Sequence, residues 1–139
     1  MRLVVFIATL GLFFPFLTTP LTSLVQSEEE YEAAMKEINL LVVDAELHID
    51  ARYWPELHDD IRKLRTQFEA VEAFWSARGE VDAVSFARQS MKTLEPIASA
   101  ADERNPQAAE SALEDFRSTC QSCHEVFRDS SNGGYRIKP

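Results

Sequence analysis

The chain has 139 residues, 45% of them apolar and 27% charged, which is enough for one packed domain. Its net charge of −9 argues against binding a nucleic-acid backbone, and suits basic partners or simple solubility. A zinc site takes four protein ligands, or three plus water, and the chain has only two cysteines and three histidines from which to draw them.

The first residues are Met1-Arg2, followed by an almost wholly apolar run from Leu3 to Leu17. A basic start and a short apolar stretch read as a secretory signal peptide over residues 1–27, with Val25-Gln26-Ser27 as the expected cleavage region. Counted on to Val25, the stretch approaches the ~20 residues of a membrane span, so an uncleaved anchor is the alternative. Thr18, Thr19, Pro20, Thr22 and Ser23 interrupt the run and favour cleavage. Losing Arg2 with this leader takes the net charge from −9 to −10.

Beyond it, four stretches place apolar residues at alternating spacings of three and four. Tyr31, Met35, Ile38, Val42, Ala45 and Ile49 form the first seam, and Leu57, Ile61, Leu64, Phe68, Val71 and Trp75 the second. The third takes Val84, Ala87, Met91, Leu94, Ala98 and Ala101, and the fourth Ala109, Leu113, Phe116, Cys120, Cys123 and Phe127. No stretch alternates with period two, so the fold class is all-α. Ser27 before three glutamates predicts a capped first helix, and Trp54-Pro55 opens the second. Gly79 ends the second helix, and Asn105-Pro106 opens the fourth. Pro96 is expected to kink the third helix or end it early. Short connections then predict an antiparallel up-down-up-down four-helix bundle over residues 28–129. The tail, 130–139, has no periodicity and is expected to be mobile.

The chemistry is concentrated in Cys120-Gln121-Ser122-Cys123-His124. C-x-x-C-H is the attachment signature of a c-type haem: two thiols bond the porphyrin's vinyl groups and the imidazole takes one axial position on iron. On a helix, positions i, i+3 and i+4 share a face, so one turn can present all three groups to one porphyrin. A redox C-x-x-C would open a helix in a βαβ setting, and no strand pattern is present. The expected cofactor is therefore a single, covalently attached haem c. In an antiparallel bundle, the helix ends level with His124 carry Tyr31 and Met35, Phe74 and Trp75, and Val84 and Phe86; with Phe127 they would wall the pocket. Met35 occupies the place facing the iron's second side, although a lone Met on an apolar seam is commonly core packing. His48 and His58 belong at the far end of the bundle and are poor rivals as ligands.

Together these residues resemble the cytochrome c′ family, including its low-spin, methionine-ligated members. The likeness rests on C-x-x-C-H in the last of four helices, continuing through Glu125 and Val126 to the aromatic Phe127 and then Arg128. It implies thioethers at Cys120 and Cys123, a proximal iron bond from His124, and Arg128 as that histidine's neighbour. Met35-Lys36 falls where methionine-ligated relatives carry their distal ligand, whereas gas-binding members have Leu or Phe there. The connection Gly79-Glu80-Val81 is shorter than is common in the family. Lys36, Arg78, Arg88 and Arg128 are the candidate cations for the haem propionates.

The resemblance implies export to the bacterial periplasm, where c-type haems are attached, with a membrane-anchored form facing the same compartment as the alternative. The leading functional expectation is an electron carrier with His/Met-ligated haem, docking to a redox partner through a basic patch on that partner. The alternative is a five-coordinate haem protein that binds nitric oxide or carbon monoxide. No nucleophile with an adjacent base suggests an enzyme, no nucleic acid is expected as a partner, and two copies could pair as a homodimer.

Overall fold

The structure, a computed structural model, describes residues 27–129 and 136–138. The expected signal peptide, apart from Ser27, lies outside the described residues. Helix α1 (Glu28–Ala51) starts on a reciprocal capping box: the Glu30 backbone N–H donates to the Ser27 hydroxyl, and the Ser27 N–H donates to the Glu30 carboxylate, both at 3.1 Å. Glu28, Glu29 and Glu30 set negative charge against the positive end of its dipole. The helix ends on Arg52, whose φ of 59° turns the chain in the left-handed region. Helix α2 (Trp54–Arg78) carries Pro55 in its first turn, where the missing N–H costs no intrahelical bond, and stops at Gly79 with φ 74°. Helix α3 (Val81–Asp102) follows almost at once. Asn105 caps α4 (Pro106–Phe127) by accepting a hydrogen bond from the Ala108 N–H.

The connections between helices are two or three residues long, so successive helices must run antiparallel. The all-α four-helix bundle expected from the seams is the observed fold. Pairs α1–α2, α2–α3 and α3–α4 pack closely, while α1 meets α4 only sparsely. Leu57, Leu64, Phe74, Leu94, Ile97, Ala109 and Phe116 are sealed from solvent. Each large side chain so buried is worth about 1.5–3 kcal/mol of transfer free energy.

Two sequence expectations shift. Of the two outcomes expected at Pro96, a kink or an early end, the early end does not occur: helix α3 passes through Pro96 to Asp102. Pro96 and Lys92 are both solvent-exposed, so water can serve the carbonyl that the missing N–H would have engaged. The inward seam of α3 is also offset: Ala83, Ala87, Ser90, Leu94, Ile97 and Ala101 are buried, while Val84, Met91 and Ala98 are half-buried.

At the end of the bundle away from the cysteines, His48 Nδ1 lies 2.6 Å from the carboxylate of buried Asp60, joining α1 to α2. His58 lies 3.1 Å from Asp102. At the cysteine end, residues 136–138 run back antiparallel to Phe127–Asp129. The Asp129 N–H donates to the Arg136 carbonyl and the Lys138 N–H to the Phe127 carbonyl, each at 2.8 Å. Ile137 packs against the core. No helix among the described residues is long and apolar enough to cross a membrane.

Candidate haem site

The sparse contact between α1 and α4 has a consequence at the cysteine end: a cavity of about 190 Å³ opens between them. Cys120, Cys123 and His124 line it from α4. Across from them α1 contributes Tyr31, Met35, Ile38, Asn39 and Val42. Phe68 and Val71 of α2 and Ala83, Phe86 and Ala87 of α3 supply apolar lining, and Ser90 of α3 adds a hydroxyl. Met35 and Val42, which the first seam places inward, are half-buried cavity wall, while Ala34 and Leu41 beside them fill the core.

The pocket residues expected from sequence divide into two groups. Tyr31, Met35 and Phe86 line the cavity, and Phe127 and Arg128 line a narrow crevice continuing past Tyr31, Met35, Cys123 and His124. Phe74 and Trp75 stand one layer behind. Phe74 stacks on Tyr31 with centroids 4.4 Å apart, and Trp75 meets Tyr31 edge-on at 5.5 Å. They brace the wall and do not form it. His48 and His58 are at the opposite end and touch neither space.

Burial governs the electrostatics. Desolvation pushes the Cys120 and Cys123 thiols up to about 11, and the Tyr31 phenol up to about 12. Burial, reinforced by the Arg128 charge, lowers the His124 pKa and so favours the neutral imidazole, the form that can bind iron. The haem-free chain should therefore resist thiol alkylation at neutral pH, with reactivity rising towards about 11. Its stability has a matching dependence. A thiol whose folded pKa is raised holds its proton longer in the native state, so its contribution is complete below the unfolded value of 9.0 and is lost as pH rises through about 11. A urea midpoint that stays flat across that alkaline range would contradict this.

Of the cations considered for the propionates, Lys36 pairs with Glu32 at 2.7 Å, Arg88 with Glu72 at 2.8 Å, and Arg78 lies over the Phe74 ring at 3.5 Å. Arg128 is at the site. Arg117, which the sequence reading passed over, lines the cavity beside Cys120 and bridges to Glu46 of α1 at 2.7 Å, holding that carboxyl below its ordinary pKa. Its one legible sign is spacing: it precedes Cys120 by three and His124 by seven, which is the same helical face. Ser90 was also missed. Its buried hydroxyl lies 3.0 Å from the Thr119 hydroxyl and donates to the Phe86 carbonyl, so the cavity wall holds no unsatisfied group there.

The donor set fits a haem c. Two thiols and an imidazole share one wall, a residue with a soft thioether lines the same cavity from another helix, and the space is mostly apolar with basic residues at its edge. Cys120 and Cys123 would hold it by thioethers and His124 by an iron bond. The comparison of sequences agrees. A family model described as cytochrome c′ matches residues 17–128, starting inside the expected leader and ending at the arginine that follows the attachment motif. No curated relative and no solved structure matches the chain. A match over most of the chain, joined to a four-helix bundle with its C-x-x-C-H facing a cavity in the last helix, shows that this chain belongs to the cytochrome c′ family and is a haem c protein.

Proposed function

We propose that the chain is an exported, periplasmic carrier of single electrons whose one haem iron is held between His124 and Met35. The observation that supports it is the placement of these two side chains, which line one cavity from facing helices with both attachment cysteines beside them. Haem c, when bound, supplies the one-electron iron couple. His124 stays neutral through burial, Met35 offers a thioether that binds both oxidation states, and keeping one coordination number limits reorganisation during transfer. Ile38, Val42, Phe68 and Val71 exclude water from the space between the ligands. The reading assigns the chain no substrate chemistry. Its partners are redox proteins, with a basic docking patch suited to the acidic surface.

Absorption spectra of the haem-loaded protein, oxidised and reduced, before and after Met35→Ala, test this. A low-spin parent turned high-spin by the substitution is the expected result. A parent already high-spin that binds carbon monoxide readily would replace the carrier with a gas-binding protein, whose small ligands would occupy the apolar side lined by Met35 and Val42. Protein carrying no covalent haem would overturn both.

A further inference from the structure

We infer that residues 136–138 complete the cofactor site, Ile137 covering the crevice beside His124 and Arg136 and Lys138 adding positive charge, so that this tail raises the iron's reduction potential. The inference rests on the haem attachment proposed above and does not need Met35 as a ligand. Arg136 and Ile137 line the crevice that also touches Tyr31, Met35, Cys123 and His124. Lys138 borders an open basin on the outer side of α4, with Arg117, Cys120, His124 and Arg128 and one acid, Glu125. Among the described residues, three hydrogen bonds hold the segment. Two are the backbone pairs with Phe127 and Asp129, and the third runs from the Lys138 ammonium to the Glu125 carbonyl at 2.6 Å. That last contact satisfies one of the carbonyls left open at the end of a helix and places a cation at the helix's negative pole. The family match ends at Arg128, so these contacts come from residues beyond the matched ones.

The direction of the effect follows from charge. Ferric haem carries one more positive charge than ferrous haem. An apolar side chain that excludes water removes solvation from the more charged form, and nearby cations repel it. Both effects favour the ferrous state. Residues 130–139 contain the cationic side chains Arg136 and Lys138 and no Asp or Glu, and at the basin Arg117, Arg128 and Lys138 outnumber Glu125.

The test uses the full-length, haem-loaded protein in a spectroelectrochemical titration, comparing the parent with Arg136→Gln/Lys138→Gln and with Ile137→Ser. Neither variant alters a residue of the four helices. Each is expected to move the midpoint negative, changing the ferric-to-ferrous ratio at the parent's midpoint by about threefold. High salt should shrink the shift of the charge variant and leave that of Ile137→Ser, because only the first acts through exposed charges. Midpoints unchanged in both variants, with helicity intact, would overturn the inference and leave the carrier reading standing. Protein without covalent haem would overturn both.

Discussion

Replacing Phe116 with alanine is expected to cost the domain about 3–5 kcal/mol, the range for deleting a buried aromatic ring whose site cannot collapse. Phe116 is fully sealed and stands edge-on to Phe68, with ring centroids 5.7 Å apart. It lies one helical turn before Cys120, and Phe68 lines the cavity, so the ring's loss would extend the existing cavity into the core. Backbone collapse there is opposed by close packing of α4 on α3 and of α3 on α2. Small domains have only about 5–15 kcal/mol of total stability, so the haem-free variant should lie close to its unfolding transition at room temperature. Urea unfolding of the haem-free parent and variant measures the difference directly. A loss below about 1 kcal/mol would mean that neighbouring side chains fill the space, and that this end of the core is softer than its burial implies.

How far this architecture could be read in advance differs from helix to helix, for physical reasons. The seam of α2 was fully legible because its inward positions carry large apolar side chains with a strong hydrophobic signal, and all six of its seam residues are buried. In α1 and α4 the same pattern mixes two environments: Met35, Val42, Cys120 and Cys123 repeat with core periodicity but form the wall of a cavity. Periodicity reports which face turns inward, and does not report whether protein or a prosthetic group fills the space. On α3 the strongly apolar Val84 and Met91 draw the seam one position away from Ala83 and Ser90, whose small side chains carry little hydrophobic signal although they sit deeper. Adjacent helical residues point about 100° apart. Knowing that Phe74 and Trp75 are level with the site therefore did not reveal that they stand behind Tyr31. Arg117 and the tail were hidden for another reason. Arg117 reads as an ordinary exposed cation until Glu46, 71 residues earlier, is seen to draw it to the cavity mouth. The pairing of residue 137 with Arg128 has no periodic signature at all.

At the other end of the bundle, His48→Ala is expected to destabilise the fold by about 3 kcal/mol while leaving the haem spectrum unchanged. Asp60 is only 3% exposed, and His48 meets its carboxylate across the α1–α2 interface at 2.6 Å. Removing the imidazole strands a desolvated carboxylate, and the cost comes mainly from that stranded charge. A double-mutant cycle makes the distinction. If the stranded charge dominates, His48→Ala/Asp60→Ala should be less destabilised than His48→Ala alone, because the second change removes the group left without its partner. Additive losses would instead mean that each side chain contributes through its own packing. The spectral arm separates the two ends of the molecule. Neither residue lines the cavity, so an altered iron spectrum in His48→Ala would show that the angle between α1 and α2 at the far end controls where α1 presents Met35.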